Sequence, residues 1–270
     1  MSETSMRFIT ILGIIPFVGV VFIFGNYFSF IIAIFLISTY AFYEWITITS
    51  KSKVNILFFL ILISLIYYLP FIDITILSYI TLAIWIVFIA LMFFDVNLLK
   101  YLIRKQALLI GLFIFSSFFC ILINFFLDNN SVSENISLID SKYYLLFFIV
   151  LLSSVDIFSY LFGKRFGSLK VVSKISPNKT AEGYFGGYTS TIIIYITLCE
   201  IFEISWLSFD ILYLTIFILL AFSGDLFISL VKRTYEIKDT GNLLPGHGGL
   251  LDRIDSYLPS ISLFSIWMVV

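Results

Sequence analysis

The chain has 270 residues, 61% of them hydrophobic and only 12% charged, with a mean hydropathy of +1.09 and a formal net charge of −1. Soluble globular domains are about 45–50% apolar and about 25% charged. The composition therefore excludes an ordinary soluble enzyme, leaves no basic surplus for nucleic acid, and points to a membrane protein. The 32 Phe residues suit a lipid-facing surface. Cys120 and Cys199 lie far apart inside apolar runs, with no disulfide or zinc spacing, and read as small hydrophobes.

A helix needs about 20 apolar residues to cross a bilayer. In chain order, such runs occur at 8–25, 28–49, 54–70, 74–94, 106–127, 143–163, 186–204, 207–228 and 256–270. The first lacks a small-residue cleavage site and is followed by many more, so it reads as a span rather than a signal peptide. The second carries Glu44 (AFYEWITI), read as a helix-packing or interfacial residue. The sixth carries Asp156 and the eighth Asp225; carboxylates in such segments face a cavity or a partner, or sit at a helix end. Backbone groups in lipid must bond within their own segment, so the runs should be helices. With the N-terminus inside, every Lys and Arg except Lys142 falls on the inner side, as the positive-inside rule requires. The expectation is an all-α polytopic membrane protein of nine spans, with N-terminus cytoplasmic and C-terminus outside. Residues 1–142 hold five N-terminal spans. Residues 143–270 form a catalytic region with cytoplasmic loops at 164–185 and 229–255.

The outer loop 128–142 is polar, and its sequons at Asn129 and Asn135 carry little weight. The chemistry concentrates in the two inner loops, KRFGSLKVVSKISPNKTAEGYF and SLVKRTYEIKDTGNLLPGHGGLLDRID. Their cations suit phosphate oxygens, their carboxylates suit Mg²⁺, and their glycines let backbone N–H groups approach an anion. Asp252 and Asp255, three apart, share a face if helical, and with Asp225 could form a carboxylate metal site; the bland alternative is a charged helix start. His247, the single histidine, reads as an acid–base group, a phosphate donor or a structural turn residue. Ser176-Pro-Asn-Lys-Thr-Ala-Glu-Gly183 is either an ordinary helix cap or a phosphate clasp through Ser176, Lys179 and Thr180.

The run Ser229, Lys232-Arg233, Lys238-Asp239, Gly241, Pro245-x-His247-Gly248-Gly249 and Asp252-Arg253-x-Asp255 resembles, position for position, the signature of phosphatidate cytidylyltransferases, the CDP-diacylglycerol synthases. Gly224-Asp225-Leu226, Asp156…Tyr160…Gly163 and Ser176-Pro-x-Lys179-Thr180-x-Glu182-Gly183 extend the resemblance, which covers roughly 150–258. Two departures are Asn178, where the family often has Lys, and Ala181, where it often has Trp. The resemblance implies transfer of a cytidylyl group from CTP to phosphatidate, giving CDP-diacylglycerol and pyrophosphate. It implies Mg²⁺ on Asp225 and Asp252, with Asp255 and a second cation as further members. Lys232, Arg233, Lys238 and Arg253 would bind phosphates. Asp239 and His247 would belong to the catalytic set, and Ser176, Lys179, Thr180, Glu182, Ser229, Gly248 and Gly249 to the substrate-binding set. It also implies a homodimer. The expected compartment is a bacterial inner membrane, since no eukaryotic targeting segment is seen, and the charge asymmetry puts the two loops on the cytoplasmic side. A CTP-dependent polyprenol kinase, an ether-lipid cytidylyltransferase and an anion transporter are the rival readings. The clustering of charge at one face, without internal repeats, argues against the transporter.

Overall fold

The computed structural model describes residues 25, 27–49, 73–127, 138–172, 175–202, 208–243 and 248–269. The expected spans at 8–25, apart from Gly25, and at 54–70 lie outside these residues, as do Asn129, Asn135, Pro245 and His247. Eight α-helices follow in order: α1 (Tyr27–Thr49), α2 (Ile74–Phe94), α3 (Val96–Leu127), α4 (Leu138–Phe166), α5 (Ala181–Ile201), α6 (Ser208–Thr234), α7 (Leu251–Ile254) and α8 (Tyr257–Val269). No strand occurs among the described residues; Lys170 and Thr180 form one isolated bridge. Five of the helices are long and apolar enough to cross a membrane: Phe28–Thr49, Ile74–Phe94, Val96–Asn124, Lys142–Phe166 and Asp210–Thr234.

Local chemistry sets the helix ends. Asp73 caps α2 by accepting from Thr75 N–H at 2.8 Å. Asp95 ends α2 and starts α3, accepting from Leu98 N–H at 3.0 Å. α3 begins at Val96 rather than at the expected 106, because hydropathy falls across Lys100, Arg104 and Lys105 while Leu99 and Ile103 still bury. The expected boundary is instead a kink at Gln106 (φ −122°, ψ 22°). There the Trp45 indole donates to the Ala107 carbonyl at 2.9 Å and lies over Gly111. α4 and α6 likewise run on to Phe166 and Thr234. Lys164, Arg165, Lys232 and Arg233 are thus the last turns of helices, where cations face the negative dipole end.

α8 lies in the interior against α2, α3 and α6. Its Ile261, Phe264 and Ser260 are buried, and the Ser260 hydroxyl donates back to the Ser256 carbonyl. Phe227 of α6 stacks on Phe88 and Trp45 and meets Trp85 edge-on, which locks α1, α2 and α6 together. α4 and α5 pack through small residues, as membrane helices do when no hydrophobic drive separates helix from lipid. A Cβ at Gly187 would lie 2.0 Å from Ser159 Oγ and 2.9 Å from the Val155 carbonyl oxygen. Ser154 Oγ and Thr191 Oγ1 are 3.0 Å apart one turn further along.

Candidate active site

A cavity of about 480 Å³ opens between α4, α5, α6 and α7; Asp156, Lys179, Asp225, Asp252, Arg253 and Asp255 line it, with Lys164, Ser159 and Tyr184 on its walls. α6 delivers Asp225. It closes on the turn after α7 because Gly224 has no side chain: a Cβ there would lie 2.2 Å from the Asp255 carbonyl oxygen and 2.8 Å from Pro259 Cγ. Asp255 and Asp156 come in from either side. Ser256 links them, donating its N–H to Asp255 at 2.9 Å and its hydroxyl to Asp156 at 3.3 Å.

The loop 167–180 delivers Lys179. It is closed by Val171 N–H to the Lys179 carbonyl at 3.2 Å and Ala181 N–H to the Leu169 carbonyl at 2.8 Å. Thr180 caps α5, its hydroxyl accepting from Gly183 N–H at 3.2 Å. Glu182 braces the loop, accepting from the Ser168 hydroxyl and from Leu169 N–H; the Ser168 hydrogen bond first, then backbone donors, hold its carboxyl down to about 2. Arg233 reaches across from α6 and donates to the Ile175 carbonyl at 3.4 Å. The Lys179 ammonium thereby rests on the Asp225 carboxylate. Burial works against that ammonium, but the Asp225 charge outweighs it and holds Lys179 above the ordinary lysine range.

Asp252 and Asp255 share α7 and its exit turn but have different partners. Asp252 Oδ1 accepts from Lys232 Nζ at 2.6 Å. Its Oδ2 accepts from Thr240 N–H at 2.9 Å, Thr240 Oγ1 at 2.9 Å and Gly249 N–H at 3.2 Å. Burial opposes its charge, yet these donors hold its carboxyl below the usual value. Asp255, 9% exposed, is pushed well above the usual carboxylate range by burial first and then by Asp225 and Asp156, which Lys179 offsets only in part.

Of the residues singled out in the sequence, the cavity wall thus gathers Lys179, Thr180, Asp225, Asp252, Arg253 and Asp255. Lys232 joins through Asp252. Gly248 has a positive φ of 85°, and a Cβ there would lie 2.9 Å from Asp252 Oδ2; only glycine fits without strain. Ser229 sits one turn beyond Asp225 on α6, while Lys238 and Asp239 are exposed beside the turn. Ser176 donates its N–H to the Val172 carbonyl inside the loop. Asp156 lines the cavity, which is one of the two readings its sequence position allowed, the other being a helix-end residue. Ser159 and Thr240 carry no sequence signal, and Glu44, read as a packing residue, lies 2% exposed against the Gly-rich turn.

A cavity lined by Asp156, Asp225, Asp252 and Asp255 and by Lys179, Lys164 and Arg253 can neutralise a polyphosphate and seat a cation beside it. Fold and site together define a helical, membrane-type protein with a polar, charge-lined cavity between its helices. The chain belongs to the cytidylyltransferase family, whose profile matches residues 5–270. It is similar to the phosphatidate cytidylyltransferase of Bacillus subtilis, 43% identical over 120 residues, covering 43% of each chain. It is 38% identical over 128 residues to that of Staphylococcus epidermidis, covering 47% of this chain and 49% of the relative. With the Staphylococcus aureus protein of the same name the identity is 35% over 131 residues, 48% of this chain and 50% of the relative. The chain thus spans about half the length or less of the relatives it matches.

Proposed function

We propose that the protein is a phosphatidate cytidylyltransferase. It would join CTP and phosphatidate into CDP-diacylglycerol with release of pyrophosphate. The observation that carries the reading is the cavity itself: it brings Lys179, Arg253, Asp225, Asp252 and Asp255, drawn from two separate loops and a helix, around one space. Family membership and the relatives' names agree with it.

The residues fit a hard divalent cation. Carboxylate oxygens of Asp225 and Asp255 line the cavity with Asp156 beside them, and a single ammonium, Lys179, is in contact with Asp225. Among the described residues no three acidic, His or Cys side chains form a ready-made cage. Mg²⁺ takes one or two carboxylates and completes its shell with water and substrate phosphates, so two of the lining carboxylates are enough to hold it. Asp225 and Asp255 would hold it; Asp252 enters the set only by exchanging Lys232. Bound there, Mg²⁺ would offset charge on the CTP phosphates.

The protein's own work is positioning and charge neutralisation. A phosphate oxygen of phosphatidate attacks the α-phosphorus of CTP in line. The new P–O bond forms as the bond from that phosphorus to the bridging oxygen breaks, and pyrophosphate leaves with the electron pair. The monoester is itself the nucleophile, with a second pKa of about 6 if it behaves like a phosphorylated side chain, so no strong base is needed. Lys179 and Arg253 contact the polyphosphate, Lys164 stands at the mouth, and Lys232, Arg233 and Lys238 add positive potential. Ser176, Thr180, Glu182, Gly248 and Gly249 shape the loops, with Ser229 on α6 and Asp239 beside the turn; His247 is assigned to the catalytic set on the resemblance alone. The full topology of nine spans, with N-terminus inside and C-terminus outside, puts this cavity on the cytoplasmic side of a bacterial inner membrane. There lipid enters sideways, and the chain is a candidate homodimer.

Purified protein incubated with phosphatidate, Mg²⁺ and CTP labelled at the α-phosphate should yield labelled lipid that EDTA abolishes. CTP labelled at the γ-phosphate should yield none. Lipid labelled from the γ position means a lipid kinase instead, and no labelling with any acceptor removes the cytidylyltransferase reading.

A further inference from the structure

Glu44 is a buried carboxylate near the C-terminal end of the apolar helix α1, and among the described residues no cation pairs with it. Burying an ionised carboxylate is costly unless hydrogen bonds replace its water. Its donors come from the other end of the chain. Oε1 accepts from Leu250 N–H at 3.1 Å; Oε2 accepts from Leu251 N–H at 2.8 Å and from Thr240 Oγ1 at 3.3 Å. The single hydroxyl proton of Thr240 lies between Glu44 Oε2 and Asp252 Oδ2, while the Thr240 N–H donates to Asp252 Oδ2 at 2.9 Å and Asp252 holds Lys232, so a chain of hydrogen bonds runs from Glu44 to the cavity. The glycines of the turn close around the same carboxylate. A Cβ at Gly241 would lie 2.3 Å from Glu44 Oε1, and one at Gly249 would lie 2.6 Å from Oε2. Two of the small residues in the charged run are therefore small because Glu44 occupies the space.

We infer that Glu44 is a positioning residue for the site: its carboxylate fixes Thr240 and the 248–252 turn, and so holds Asp252, with its partner Lys232, at the cavity. The inference rests on the cytidylyltransferase reading for its catalytic consequence, and on geometry alone for its structural one. A packing residue would be replaceable by any side chain of equal volume. Here Gln has that volume but must turn an NH₂ toward N–H or O–H donors that now meet an oxygen. Asp keeps the charge at shorter reach. Supporting partners of this kind typically cost about 10- to 100-fold in activity when removed.

The test uses the full chain in lipid nanodiscs, as wild type, Glu44→Gln and Glu44→Asp, with two readouts. The first, independent of activity, is amide hydrogen exchange. Peptides covering 248–255 should exchange about 10- to 100-fold faster in Glu44→Gln, with the helices of α4, α5 and α6 as protected as in wild type. The second is turnover: kcat should fall about 10- to 100-fold in Glu44→Gln with KM for phosphatidate unchanged, and Glu44→Asp should recover part of the loss. Unchanged exchange and kcat in Glu44→Gln overturn the inference. So does protection lost through all helices in both variants, which makes Glu44 a general packing residue. If wild type transfers no cytidylyl group but the exchange pattern is as stated, the anchor stands and the activity reading fails.

Discussion

Asp252 is held by four donors on two oxygens, so its charge is used twice, once on Lys232 and once on the Thr240–Gly249 turn. Asp252→Asn keeps the shape but replaces one oxygen by an NH₂ facing donors. Turnover should fall about 100-fold or more while the protein still inserts; near-wild-type turnover in the purified variant would show that Asp252 does not order the site. Gly248→Ala should cost about 1–2 kcal/mol at a left-handed position and push against Asp252, visible as a lower kcat with intact helices by circular dichroism. Individual residues were unevenly legible in the sequence. Asp225 stood out as a charge in an apolar run, and Asp252 and Asp255 through their spacing and the Pro-x-His-Gly-Gly run before them. Glu44 did too, but its partners lie 196 to 207 positions away, and no local pattern encodes that distance. Thr240 is one hydroxyl among many until its neighbours in space are known.

Helices were legible where hydropathy and helix coincide, as in α2, whose bounds equal the apolar run at 74–94. They were not where a helix continues into polar sequence. α3, α4 and α6 each carry a charged turn that apolar counting assigns to a loop, because helix needs backbone bonds and hydropathy measures only side chains. The α4–α5 seam makes its own prediction. Gly187 faces Ser159 and the Val155 carbonyl with no room for a side chain. Gly187→Leu should separate the helices, cost about 1–3 kcal/mol by overpacking, and lower both the thermal midpoint and activity, since α4 carries Asp156 and α5 follows directly on Lys179. A conserved midpoint measured by thermal unfolding in detergent would mean that the seam is looser than its geometry.

Over the whole molecule, the described helices account for five membrane-length elements, while α5 and the 13-residue α8 overlap expected spans without qualifying by length and hydropathy. The short α8 is buried by its neighbours. The proposed topology predicts that, with Cys120 and Cys199 replaced by Ala, Ser168→Cys reacts with an impermeant thiol reagent from the cytoplasmic side and Lys142→Cys from the opposite side. Labelling of both from one side contradicts the nine-span arrangement. It also follows that the N-terminal half is not a passive anchor, since α1 reaches the Gly-rich turn through Glu44.

In the proposed function the cavity between α4, α5, α6 and α7 is where a CTP phosphate meets a lipid phosphate. The most direct test is transfer of α-labelled cytidylate to phosphatidate by Asp225→Asn protein, set beside wild type at equal membrane-inserted amounts and across a Mg²⁺ titration. Wild-type labelling should require Mg²⁺, and the variant should lose about 100-fold or more. Wild-type labelling by Asp225→Asn with an unchanged Mg²⁺ requirement would place the chemistry somewhere else in the molecule.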